Sequence, residues 1–280
     1  MRTRFLSKLT NGEVEAYLDR NDIIFVPVGV TETHGALPLD SETVLAEAIA
    51  LKMAEQTDGL VLHNLPYFFA GGTNIARGTV RMSVKDGMAY LDKIAKSLLY
   101  QGFRRQIYIT CHGPAYLTVS GMIRDFFDET KVPALYMDLL KIAESVSFNL
   151  LDVFHEISIG AYQVLDRLED VPLNMPDSPS VTYDFEHMMA GMAKNPGNSL
   201  GKYAYQSGAV GSYFHEPSDH MVTPLLKTEE ERSAHAAVGV KAIDQLVQAL
   251  DMASIVETLR QTDLYTQNTI LPKYGSNLQK

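Results

Sequence analysis

The chain has 280 residues, 46% of them hydrophobic, a formal net charge of −10 and one cysteine. That apolar share can fill the core of one domain or two, and a lone Cys111 excludes a disulfide framework. Arg104–Arg105 is the one tight basic cluster, so nucleic acid and anionic membrane are excluded as partners, and no apolar run nears the roughly 18 residues of a membrane span.

The opening "MRTRFLSKLTNGEVEAYL" starts basic but continues into no apolar h-region. No signal peptide is expected, and the expected location is the cytoplasm. "IIFVPV" (Ile23 to Val28) reads as the first buried strand. "LVLHNL" (Leu60 to Leu65), "QIYITC" (Gln106 to Cys111) and "PALYMDL" (Pro133 to Leu139) read as the others. The first and third are apolar without clean alternation, the pattern of strands covered on both faces in a parallel sheet.

Helical patterns lie between the strands. "SETVLAEAIALKMAEQ" opens at an N-cap on Asp40 or Ser41. "SVKDGMAYLDKIAKSLLYQG" has Ser83 and Asp86 in capping-box spacing and stops at Gly102. "GPAYLTVSGMIRDFFDET" follows the third strand, and "TEEERSAHAAVGVKAIDQLVQAL" opens with Thr228 and Glu231 as another box. Alternating strand and helix predicts an α/β fold, a three-layer α/β/α sandwich with a mostly parallel sheet. The whole chain, 1–280, is taken as one domain. Within it, 171–224 carries six of the twelve prolines and reads as an irregular lid or interface segment. Residues 265–280 read as a C-terminal tail.

Ligands of open α/β sheets bind beyond the carboxyl ends of the strands. Two of these strands end in candidate metal ligands, Glu32 and His34 after the first and His112 after the third. If the two strands are neighbours, three donors of mixed nitrogen and oxygen type converge, a set that suits zinc, manganese or iron. Glu42 or Asp40 could join from the next helix start, although an acid there ordinarily satisfies free backbone N–H groups, the expected role of Asp40. "HEPSDH" (His215 to His220) lacks helical HExxH spacing and reads as a solvated loop, with a substrate lid as the alternative; His187 reads the same way. Cys111 reads as a buried inert thiol. The glycines of "FAGGTNIARGT" have no phosphate-binding spacing, and Arg77 within it is a surface arginine or a substrate contact.

"VPVGVTETHGALPLDSET" resembles the creatininase family, with its strand ending in P-x-G followed by E-x-H-G-x-H-L-P-L-x-T-D. Pro27, Gly29, Glu32, His34, Gly35, Leu37, Pro38 and Leu39 match in order. "ARGT" fits the family's F-P-G-T at Gly78 and Thr79, "ITCHGPA" its strand-end N-G-H-G, and "SGAVGSYFHEPSDHM" its late glycine-containing loop. The likeness runs from about residue 20 to 250.

The resemblance implies a creatininase-like sandwich, a homo-oligomer of hexamer type and a two-metal site. Glu32 and His112 would bind one ion and His34 the other, with Glu42 in the place of a bridging aspartate. "SIGAYQVL" falls where the family has H-A-G-E-x-E-T-S, which puts Ser158 at its histidine and Gln163 at its metal glutamate. Several family groups are replaced. Thr73 stands for a histidine, Arg77 for a proline, and Pro114 for a glutamate two residues after the strand-end histidine. The expected cofactor is therefore a divalent metal, zinc or manganese or iron, one ion rather than two. Metal ligands are expected among Glu32, His34, Glu42, His112 and Gln163, and substrate contacts at Thr73, Arg77 and Ser158. The implied activity is metal-dependent hydrolysis of a small polar cyclic substrate at a C–N bond, or alternatively C–C ring opening of an oxidised inositol of the 3-dehydro-scyllo-inosose type. A metal-free isomerase or lyase and a non-catalytic binding subunit are the competing readings.

Overall fold

The computed structural model describes residues 1–173, 185–203, 210–220 and 225–278. Four strands make one parallel sheet in the order β2-β1-β3-β4: β1 Ile23–Val28, β2 Leu60–Val61, β3 Arg105–Thr110 and β4 Leu135–Asp138. Helix α1 (Asn11–Leu18) precedes the sheet, α2 (Ser41–Thr57) links β1 to β2, α3 (Val84–Tyr100) links β2 to β3, and α4 (Tyr116–Thr130) links β3 to β4. After the sheet come α5 (Leu139–Ser145), α6 (Phe154–Val164), α7 (Phe185–Lys194), α8 (Glu229–Ala249), α9 (Met252–Tyr265) and α10 (Leu271–Tyr274).

The sheet splits the core in two, as its double-sided burial requires. Ile23 and Phe25 face a core shared with α2, α6, α8 and α9, whereas Ile24, Val26 and Val28 face one built on α1, α3 and α4. The result is the expected three-layer α/β/α sandwich. The expected caps form at Ser83, whose side chain accepts from the Asp86 amide (3.1 Å), and at Thr228, which accepts from Glu231 (3.1 Å).

Three expectations change. β2 is shorter than Leu60 to Leu65 because the chain bulges: Phe25 pairs with Val61, but Val28 pairs with Leu65, one residue out of step. The bulge turns His63 and Asn64 towards the buried Glu47, which accepts from His63 at 2.8 Å. Next, 171–224 is not wholly irregular. Its described residues include α7 and short 3-10 turns at Pro196–Tyr203 and Pro217–Asp219; residues 174–184, 204–209 and 221–224 lie outside the described ones. Finally, the expected tail is helical through residue 277, with its own Thr266 buried. No helix among the described residues is long and apolar enough to cross a membrane.

Candidate metal centre

β1 and β3 are adjacent, with Val28 opposite Thr110. The chain leaves β1 for β2 on one side and returns to β3 on the other, so their carboxyl ends flank the switch point where open α/β sheets bind ligands. Glu32, His34 and His112 emerge there, all buried.

A tight loop carries the first two. The Leu37 amide donates to the His34 carbonyl (3.1 Å) across Gly35, whose φ of 60° suits a glycine at the first central position of a hairpin turn. The Glu32 amide donates to the Leu39 carbonyl (2.9 Å), folding the loop back on itself. This lays the first turn of α2, with Glu42, beside Glu32 and His34.

Glu42 spans the centre. Its Oε1 is 3.2 Å from His34 Nε2, and its Oε2 is 2.8 Å from His112 Nδ1. Glu32 Oε1 lies 3.2 Å from the same His112 Nδ1. Neither Glu32 Oε1 nor Glu42 Oε2 receives a hydrogen bond, although both are buried. Donor atoms of Glu32, Glu42 and His112 fall within 4.8 Å of one another, and so do those of Glu32, His34 and His220.

Backbone carbonyls fix the imidazoles. A carbonyl can only accept, so the ring nitrogen facing it carries the proton and the other nitrogen of a neutral ring holds a lone pair. His112 Nε2 donates to Phe69 O (2.7 Å), His34 Nδ1 to Glu32 O (3.3 Å), and His220 Nδ1 to Thr33 O (2.7 Å). In their neutral forms all three rings turn a lone pair away from the backbone. Such orientation of a ring by its outer nitrogen is the arrangement that supports a metal ligand.

Electrostatics follow from this crowding. Burial alone would lower His112, but the Glu42 and Glu32 carboxylates outweigh it and hold the imidazole well above its ordinary value, so that a proton stands on Nδ1 between ring and carboxylates wherever no cation takes its place. Burial likewise opposes the net effects at Glu42, held well below the carboxylate range by His112 and His34, and at His34, raised by Glu42. At His220 burial wins, joined by His34, and the imidazole sits below its ordinary value. Burial, then Glu42 and Asp138, pushes the Cys111 thiol well up, in keeping with an inert residue.

The expected substrate contacts fare differently. Thr73 is buried at the centre, where its hydroxyl reaches Glu32 Oε2 and the Ala70 carbonyl (2.9 Å for the latter), one proton serving one acceptor at a time. Ser158 is buried on α6 and donates to Phe154 O (2.8 Å). Arg77 and Gln163 are exposed and belong to neither donor group.

His220 is the residue that sequence reasoning missed. Pro217–Asp219 forms a compact turn in place of the expected solvated loop, with Asp219 buried and accepting from the Glu216 amide (2.8 Å). His187, on α7 rather than in a loop, meets Ser218 Oγ at 2.9 Å. The motif carried no ligand spacing, so only the tertiary contact identifies it.

Asp40 does not cap α2 through its side chain as expected. It accepts instead from Tyr162 OH (2.7 Å) and Arg167 (2.8 Å). This separates its role from that of Glu42. Asp40→Ala is expected to lower stability by about 1–3 kcal/mol, because the buried Tyr162 hydroxyl loses its acceptor, while metal content stays unchanged. Glu42→Ala is expected to lose metal. Urea unfolding and elemental analysis of the two variants read both effects.

A cavity of about 130 Å³ opens beside the centre, sharing Phe69 with it and lined also by Asn74, Arg81, Ser212 and Tyr213. A parallel α/β sheet with buried carboxylates and imidazoles at its switch point defines an α/β protein with a centre suited to divalent cations. The family model for creatininase, described as creatinine amidohydrolase, matches residues 7–170, and the chain belongs to that family. A curated relative, 3-dehydro-scyllo-inosose hydrolase of Thermotoga maritima, is 28% identical over 137 residues, 48% of this chain. The match spans 44% of that relative, so the chain covers less than half its length. Among solved structures, creatinine amidohydrolase (creatininase) matches with a TM-score of 0.56 at 20% identity, covering 88% of this chain and 97% of that one. A manganese creatininase matches at 0.55 and 19%, covering 88% and 98%. A mutant creatininase of Zn-Zn type also matches at 0.55 and 19%, covering 89% and 98%. At these identities the structural matches speak for the fold.

Proposed function

We propose that this chain is a metal-dependent hydrolase of a small, polar, cyclic substrate, holding a divalent cation at Glu32, Glu42 and His112. The carrying observation is the pair of buried carboxylate oxygens that lack a hydrogen bond and face His112 Nδ1, the ring nitrogen turned from the backbone. Electron-rich atoms brought together away from water cost several kcal/mol each unless a proton or a cation sits among them. Two carboxylates and an imidazole suit zinc, manganese or iron, and the related creatininases of manganese and Zn-Zn type support the first two. A bound divalent cation supplies Lewis-acid polarisation of a carbonyl and acidification of a water.

The chain's own groups do the remaining work. Thr73 steadies Glu32 from behind, and Phe69 O holds the His112 ring. Glu32 and Glu42, acceptor-only when ionised, can take a proton from an attacking water. Asn74, Arg81 and Ser212 at the neighbouring cavity offer partners for a hydroxylated ring.

Among bonds, the preferred reading is the C–C bond of a cyclic 1,3-diketone, an oxidised inositol. The sequence relation to an inosose hydrolase supports it. Pro114 in place of a family glutamate points the same way, because it removes an acid for a leaving nitrogen. In this reaction the water oxygen bonds to one carbonyl carbon and the ring C–C bond breaks. Its electron pair moves onto the second carbonyl as an enolate, and a proton from water quenches it. The second reading, opening of a cyclic amide at C–N, is favoured by the description of the matching family model.

The test is elemental analysis of untagged protein followed by turnover of keto-inositols and creatinine. Retained zinc or manganese with turnover of the diketone is expected. Turnover of creatinine alone would move the assignment to C–N hydrolysis, and no metal uptake would overturn the hydrolase. A homo-oligomer of hexamer type in the cytoplasm belongs to the same reading, and light scattering checks the assembly.

A further inference from the structure

The second donor group sits beside the first. We propose that His220 supplies the donor that Pro114 cannot, closing with Glu32 and His34 the second of the two cation positions that the family resemblance implies. This rests on the metal-dependent reading above and deepens it.

The geometry carries the inference. The donor atoms of Glu32, His34 and His220 lie within 4.8 Å of one another. The His34 and His220 rings stand 4.9 Å apart at 70°, each with Nδ1 tied to a backbone carbonyl of the same loop, Glu32 O and Thr33 O. Both Nε2 atoms are thereby left as lone-pair donors. His34 Nε2 also stands 3.2 Å from Glu42 Oε1. Glu42, with one oxygen towards His34 and the other towards His112, is placed to serve a cation at either position.

Chain position makes His220 a replacement. The family model's match ends at residue 170, before His220. Two residues after His112, where the resemblance expects a glutamate, Pro114 offers no donor and lies against Gly71. The segment that brings His220 in is held from two sides. The Phe214 amide donates to Gly72 O (3.2 Å), and the Phe214 ring lies 5.1 Å from His220. On the other side, Asp219 sits so close to Gly191 of α7 that a Cβ there would fall 2.0 Å from its carboxylate. The imidazole is therefore delivered by a fixed turn.

Donor chemistry separates the sites. Two imidazoles and one carboxylate are a set used for zinc and for iron(II), softer than the two-carboxylate group. The second site should therefore discriminate more strongly against manganese than the first.

The test is metal retention by wild type, His220→Ala and His220→Glu after gel filtration from zinc or from manganese, with cobalt(II) absorption spectra and circular dichroism as a check of fold. Wild type is expected to retain about two zinc equivalents per chain, the second held less well as manganese. His220→Ala should keep its fold and the first ion and hold the second at least roughly a hundredfold more weakly, beyond the usual effect of losing an outer partner. His220→Glu, which returns a donor, should regain the second ion with an altered cobalt spectrum. Retention of both zinc ions by His220→Ala at wild-type affinity would overturn the proposal, and so would a wild type that holds only one. Failure of every protein to retain any ion would instead remove the reading on which it rests.

Discussion

His112→Ala is expected to lose both retained metal and turnover, with kcat/KM falling by at least about a hundredfold, since loss of an outer partner of a ligand alone costs 10–100-fold. Among the described residues, His112 Nδ1 is the one nitrogen within 3.2 Å of carboxylate oxygens from both Glu32 and Glu42. Its removal takes away a donor and leaves two buried carboxylates facing each other. Like charges so placed cannot both ionise freely, so one takes up a proton and ceases to be a good ligand. The Phe69 carbonyl also loses its donor. Elemental analysis and kinetics on variant protein with a wild-type circular dichroism spectrum read the effect. His112→Gln, which keeps a polar side chain, should fail likewise. Wild-type metal content and activity in either variant would sink the centre.

The sequence made β1 and β3 legible for a simple reason. Strands covered on both faces are apolar throughout, and Ile23 to Val28 is buried at every position. Their adjacency was not legible, because no residue encodes it locally; it follows from the order of crossovers, and it is what brings His112 to Glu32. Within β2, the apolar run continued to Leu65, but the bulge that turns His63 towards Glu47 depends on a buried carboxylate on another element. Asp40 had the pattern of a cap, and a hydroxyl and a guanidinium from residues 162 and 167 claimed it instead. His220 was invisible for the same reason in stronger form. Its partner Thr33 is 187 residues away, and the motif around it spells only a proline-fixed turn. Gln163 was reached through the weakest stretch of the family resemblance, and it is exposed on α6. Residues whose role is set within one element can be read from sequence, whereas those set by a neighbour are found only once the neighbour is placed.

Gly239→Val is expected to be the most destabilising single change outside the centre. α6 and α8 cross at Gly160 and Gly239, where a Cβ on Gly239 would fall 1.7 Å from the Glu156 carbonyl oxygen and one on Gly160 would fall 2.4 Å from the Gly239 carbonyl carbon. Both obstacles are backbone, so no side chain can swing aside and the helices must separate. Mid-helix glycine costs about 1 kcal/mol against alanine, a cost the close crossing offsets. Overpacking commonly costs about 1–3 kcal/mol and more where backbone must move, so Gly239→Ala should lose roughly 3 kcal/mol and Gly239→Val more. Gly12→Ala, with nothing within 4 Å of the new Cβ, should be neutral or gain up to about 1 kcal/mol. Urea unfolding of the three variants separates the crossing from the general effect of replacing glycine in a helix. The consequence reaches the metal centre, because α6 also packs on α2, whose first turn carries Glu42. Helices forced apart at Gly239 should therefore weaken metal retention in whatever fraction of Gly239→Ala still folds, while Gly12→Ala leaves it intact. Wild-type stability in Gly239→Val would mean that the two helices do not approach as closely as their glycines allow.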